Sequence, residues 1–396
     1  MLFQIFIFII AGILAGTFTG LIPGIHINLI GVFLISVSAS VFGSISPIYL
    51  VVFVAAMAIT HTFVDFIPSI FLGCPDTDTE LSVLPGHELL KKGLGYQAVV
   101  LTAYGSLAAI FILMIIAFPS ILIISKTYEL IKNLIPYFLI LISIIMILLE
   151  KKKFSAFVVY FLTGFLGLCV LNFENLEQPL LPLLTGLFGG SMLVLSIRNK
   201  IVIPTQIIEK PKKTNLVKPL LGSFVASPLC SFLPGLGSGQ AAIIGNTISR
   251  TGRKGFLVLL GATNTLVMGF SFISLYVISK TRTGAAVAIK ELIGEPSIGV
   301  LILILVVVFI SGIIAFFLTL ILAKFFSQKL GKVNYIKLSI VTLLVLAVIV
   351  LFVSKFFGLV VFIVSTLTGL YCISLKVRRT HMMGCLLVPV IVGYFV

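Results

Sequence analysis

From Leu2 to Val41 the chain carries no Asp, Glu, Lys or Arg, yet this apolar run is interrupted midway by Leu21-Ile22-Pro23-Gly24-Ile25-His26-Ile27-Asn28. Proline lacks an N–H and clashes with the preceding turn, whereas glycine accepts almost any φ/ψ. A Pro-Gly pair therefore ends one helix and lets another start at a new angle. The interruption returns as Phe232-Leu233-Pro234-Gly235-Leu236-Gly237-Ser238-Gly239-Gln240, again within apolar sequence. One such break is an ordinary kink. Two in corresponding positions of two halves point to a transporter's binding site, because backbone freed inside a bilayer must be buried in protein or line a cavity.

The bilayer itself follows from composition. Hydrophobic residues are 60% of the 396 and charged residues 10%, too much apolar surface for a soluble domain to hide. The net charge of +15 does not indicate nucleic acid, because Lys and Arg cluster in short loops between apolar runs, where they set topology. Met1–Gly20 has no basic leader region and reads as retained structure. The five cysteines form no CxxC pair and read as small apolar side chains. No phosphate-binding GxxxxGK[ST] loop occurs, nor HExxH, GxSxG or a metal-spaced Cys/His cluster, so the chain reads as neither ATP-driven pump nor enzyme.

Apolar runs of about 17–25 residues mark spans. The first half (1–197) holds a hairpin over 2–41, then spans at 48–72, 96–124, 134–149, 154–170 and 179–197. A basic connector, 198–218, follows. The second half (219–396) holds a hairpin over 219–248, then spans at 256–279, 298–323, 338–353, 356–375 and 382–396. Placing the basic loops in the cytoplasm requires each hairpin to enter and leave on one side. The piece Gln240–Ile248 is too short to cross ~30 Å of hydrocarbon, which favours a re-entrant hairpin. Five spans after each hairpin is an odd number, so the second half starts on the opposite face. The expected fold is all-α and polytopic, with two inverted repeats.

After each hairpin comes a second matching block: His61-Thr62-Phe63-Val64 with Leu72-Gly73-Cys74-Pro75-Asp76-Thr77-Asp78-Thr79-Glu80 and Leu84-Pro85-Gly86-His87, against Asn264-Thr265-Leu266-Val267 with Ile278-Ser279-Lys280-Thr281-Arg282-Thr283-Gly284. Together with the two Pro-Gly tips this resembles the TctA-like permeases, the large membrane subunit of tripartite tricarboxylate transporters. His26 and Asn28 stand where small residues are the family pattern, and Asp76 replaces the glycine of the family's turn. The resemblance implies an ion-coupled secondary transporter for a small organic anion, working with a small membrane subunit and an extracytoplasmic solute-binding protein. Self-association is open. A translocase for a polyprenyl-phosphate carrier is the alternative reading, since a phosphate would also suit Arg282 and a glycine-rich tip.

Of the twelve acidic residues, five lie between Asp65 and Glu88, and carboxylates within membrane segments usually mark ion or substrate pathways. Asp65 lies one helical turn after His61, so the two could share a proton or flank a cation, or Asp65 could simply hold the histidine. Asp76, Thr77 and Asp78 offer oxygens for Na⁺ or cap the next helix. These five residues form the expected coupling-ion set, for Na⁺ or H⁺; no metal site or cofactor is expected. The expected substrate set is Pro23, Gly24, His26 and Asn28 at one tip and Pro234, Gly235, Gly237, Ser238 and Gly239 at the other, with Asn264, Arg282 and Thr283. Exposed tip N–H groups and an Arg fork both suit an anion. His381 reads as an interfacial loop residue, and Glu80 and Glu88 as solvent-facing.

Overall fold

The structure is a computed structural model that describes residues 2–22, 46–73, 79–198, 204–209, 211, 215–232, 237–281, 283–330 and 334–395. The described residues are helices joined by short connections, with no strand among them. Eight helices among the described residues are long and apolar enough to cross a membrane, and two shorter apolar helices, 136–148 and 379–392, accompany them. The expected all-α polytopic fold is therefore observed.

The chain opens with α1 (Leu2–Leu21). It continues with α2 (Pro47–Val64) and α3 (Phe66–Phe71), which form one span broken at Asp65. Gln4 of α1 meets Tyr49 of α2, and Gly20 faces Val64. The two helices thus run parallel, and the chain enters α2 at the end where α1 began. A short α4 (Val83–Leu90) leads into the long α5 (Gly95–Ile131). Then come α6 (Ile135–Leu148), α7 (Lys153–Leu171), and a span made of α8 (Leu180–Leu184), a π-helical turn (Thr185–Gly190) and α9 (Ser191–Arg198).

After the connector, α10 (Val217–Phe232) and α11 (Ser238–Ser249) pack antiparallel, Gly222 lying against Gly245. At ~1.5 Å per residue, α11 is about 18 Å long and cannot cross the hydrocarbon. Next, α12 (Arg253–Ile278) starts beside the start of α10, Gly255 facing Pro219. The hairpin α10–α11 therefore enters and leaves at one end, as its length dictates. The remaining helices are α13 (Gly284–Ile293), α14 (Ile298–Leu330), α15 (Tyr335–Ser374) and α16 (Gly384–Val392). Sequence predicts two spans where α15 runs. The helix is merged across Lys355, whose φ of 57° and ψ of −159° lie outside helical space, so a single residue makes the turn.

The centre is built from α2, α5, α12 and α14, which share one apolar cluster including Met57, Phe63, Ile110, Phe270 and Leu301. With no hydrophobic drive between helices in lipid, close backbone approach does the work. At the α5–α12 crossing, Gly105 lies on the carbonyl of Val258 and Gly261 on that of Thr102. A Cβ at either position would collide with backbone, so glycine is required. Farther out, α16 packs on α7, and the later part of α15 packs on the π-helical turn.

Part of the connector is fastened down. Gln206 accepts from the Gly95 N–H (2.8 Å) and donates to Leu90 O (3.1 Å), and Ile207 N–H donates to Gly93 O (2.7 Å).

Candidate functional site

In a regular helix the N–H of residue 68 would bond the carbonyl of residue 64, but Pro68 has none to give. The α2–α3 span is broken nearby, at Asp65, which keeps helical angles (φ −60°, ψ −20°), so the segment runs on through the protein. This puts Asp65 deep inside, 3% exposed. Asn264 on α12, 4% exposed, donates from Nδ2 to Asp65 Oδ2 at 2.8 Å. The same amide lies 3.5 Å from Thr62 O. One residue on, the Thr62 and Thr265 hydroxyls are 3.2 Å apart. On the other side His61, also buried, places Nδ1 3.0 Å from Thr19 Oγ1 of α1.

These contacts form a polar layer joining α1, α2 and α12, inside two spans that are almost wholly buried. A buried carboxylate is costly unless hydrogen-bonded or charge-paired. Here the Asn264 amide supplies one hydrogen bond to the carboxylate. Such a group can accept a proton or contribute an oxygen to a monovalent cation.

The expected site residues distribute as follows. Asp65, His61 and Asn264 come together, His61 and Asp65 each reaching a different neighbouring helix. Gly237, Ser238 and Gly239 lie at the start of α11, the last two buried. The end of α10 is tied to α12 by the Ser274 hydroxyl, 3.5 Å from Ser231 O. Ser274 is ten residues beyond Asn264, about 15 Å along the helix, so that hairpin end is offset from the polar layer. Thr283 is the N-cap of α13, accepting from Ala286 N–H (3.3 Å) and lying 2.9 Å from the Ser271 hydroxyl. Its hydroxyl thus has a structural task. Pro23, Gly24, His26, Asn28, Asp76, Thr77, Asp78, Pro234, Gly235 and Arg282 lie outside the described residues.

Thr19, Thr62 and Thr265 complete the layer, and sequence reading did not select them. Thr62 and Thr265 stand in the repeated His/Asn-Thr-x-Val motif. Thr19 follows Gly12 and Gly16, whose faces press on Phe53–Met57 and Met57–Thr60. That small-residue stripe was the available signal for a helix held close to α2.

Away from this layer, one surface expectation needs correction. His381 is buried (1% exposed) and sits 3.2 Å from Glu150 Oε2, a carboxylate also met by Arg378 Nε at 3.1 Å. Burial pulls the His381 imidazole below its usual range. Burial would raise the Glu150 carboxyl, but its hydrogen bonds and Arg378 hold it lower. Glu88 is half-exposed and ion-paired with Arg253 at 2.7 Å. No group of three His, Cys, Asp or Glu side chains is disposed to hold a metal among the described residues.

The fold is that of a multi-pass membrane protein with a polar layer buried in its central spans. Family comparison makes this specific: the model of the tripartite tricarboxylate transporter TctA family matches residues 6–384, and the chain belongs to that family. It is thus a transporter component of a system that also comprises a small membrane subunit and a solute-binding protein. An uncharacterized protein of Methanocaldococcus jannaschii, MJ1079, is 32% identical over 293 residues, 72% of each chain. No solved structure matches.

Proposed function

We propose that this chain is the permease of such a system, moving a small carboxylate across the membrane by alternating access of two inverted repeats, coupled to Na⁺ or H⁺ at Asp65. The observation that carries this reading is the Asp65–Asn264 hydrogen bond. Each of its ends comes from the same place in one of the two repeated motifs or one turn from it. A carboxylate clamped between the two moving bodies is where an ion's presence can bias one arrangement over the other.

The packing supports the repeat reading. Under a two-fold axis that exchanges α2 with α12 and α5 with α14, the α5–α12 contact becomes the α2–α14 contact, and both are present. Exchanging α7 with the later part of α15, and the 180–198 span with α16, again maps one observed packing onto another: Gly167 against Cys385 O, and Gly369 against Leu187 O. Thr62 and Thr265, motif counterparts, touch each other, as residues beside such an axis must. Both pairs α1–α2 and α10–α12 run parallel.

The test is uptake by proteoliposomes carrying the chain with its partner subunits, using mono-, di- and tricarboxylates at several Na⁺ concentrations and pH values. Asp65→Asn is expected to abolish the dependence on one of the two ions while carboxylate binding persists. Unchanged ion dependence in that variant refutes the coupling role.

A further inference from the structure

A cleft of ≈ 240 Å³ opens between α6 and α11. Its walls are Leu141, Ile145 and Leu149 on one side and Ile244 and Ile248 on the other. Leu141, Leu149 and Ile248 are each more than half exposed, so the cleft faces sideways, at the depth of the bilayer. Its lining from Phe138 to Leu149 covers eleven residue steps, about 16 Å. That is roughly one leaflet of a ~30 Å hydrocarbon core.

Polar groups meet it at one end only, where α6 and α11 finish. Arg378, Thr380 and His381 line that end. Arg378 donates from Nη2 to Leu149 O (3.2 Å) and from Nε to Glu150, and its side chain is still 56% exposed, so three of its five N–H groups face outward or are shared. His381 donates from Nε2 to Glu150, and its Nδ1 has no partner among the described residues. Glu150 is the one acid at this end, and it is enclosed by those two side chains and the Lys151 and Arg378 N–H groups. Next to these residues in sequence are the exposed Lys151, Lys152, Lys153 and Lys376, and the exposed Arg250 follows α11. The excess of Lys and Arg marks this as the cytoplasmic side.

We infer that the cleft is a seat for an anionic membrane lipid of the cytoplasmic leaflet, its acyl chain between α6 and α11 and its phosphate on Arg378. Because α11 is an arm of the second hairpin, the lipid would brace that arm against α6. The assignment rests on charge complementarity and the one-leaflet length of the cleft, and it is independent of the transported substrate.

The chain contains no tryptophan, so Leu141→Trp gives a single fluorophore in the cleft. The purified full chain is delipidated in detergent and titrated with brominated phosphatidylglycerol or brominated phosphatidylcholine. Phosphatidylglycerol is expected to quench at an at least ~fivefold lower mole fraction, the effect of about 1 kcal/mol from one arginine near an anionic headgroup. A control tryptophan at Phe352, 82% exposed on α15, should not distinguish the two lipids. Adding Arg378→Gln should erase the preference, as should 1 M salt on the Leu141→Trp chain if the second variant does not fold. Equal quenching by both lipids, or a preference that survives both perturbations, overturns the inference. So does a cleft tryptophan that neither lipid quenches while the Phe352 control responds, which would mean that protein covers the cleft.

Discussion

Replacing Asn264 by leucine isolates the central contact of the polar layer. Leucine has the same branched heavy-atom skeleton as asparagine, so the shape of the side chain is kept while the Nδ2 donor, 2.8 Å from Asp65 Oδ2, is lost. Both residues are under 5% exposed, so bulk water does not simply take the vacant place. A hydrogen bond to a charged group contributes about 1.5–3 kcal/mol, and leaving a buried acceptor short of it costs a similar amount. Asn264→Leu should therefore destabilise the folded protein by about 2 kcal/mol, measured by denaturant titration in mixed micelles. Asp65→Leu alone leaves Asn264 unsatisfied and should cost about 1–3 kcal/mol. The double variant removes both polar ends and should cost much less than the sum, with a coupling energy of at least about 1.5 kcal/mol. Additive single effects, or an Asn264→Leu cost below about 0.5 kcal/mol, would show that the contact does not hold the carboxylate.

Three further outcomes are expected. Gly261→Val puts side-chain carbon against Thr102 O and should separate α5 from α12, a cost of several kcal/mol read as loss of the monodisperse peak in size-exclusion chromatography. Thr283→Ala removes the α13 cap and should cost about 1 kcal/mol in the same micelle titration, with carboxylate affinity retained. His87 lies outside the spans; burial first, then Lys91 and Arg379, lower its pKa from 6.5 to about 4 despite the hydrogen bond to Ile70 O. The unfolded chain therefore binds the extra proton between those values, so stability is full above pH ~6.5 and declines by about 3 kcal/mol as pH falls towards 4. His87→Gln should flatten that part of the stability–pH curve.

The spans were legible because bilayer thickness imposes a length that composition alone reveals. Boundaries slipped where helices outlast the hydrocarbon: α5 continues past Ile124 through Lys126 to Ile131, and α14 past Ala323 to Leu330. Asp65 could be singled out, since a carboxylate in an apolar run is an anomaly. Its partner could not be assigned by the same logic. Asp65 and Asn264 are 199 residues apart, and only the crossing of α2 with α12 brings them together. His381 misled for a related reason: Arg378 and Arg379 beside it suggested a surface, but Glu150, 231 positions away, draws it inside.

The fastening at Gln206 divides the connector into unequal parts. At Gln206 and Ile207 it belongs mechanically to the first half, stitched to Leu90, Gly93 and Gly95. The chain resumes as helix at Val217, where α10 begins. A load on the connector at Ile207 is therefore taken up by three hydrogen bonds to the α4–α5 junction.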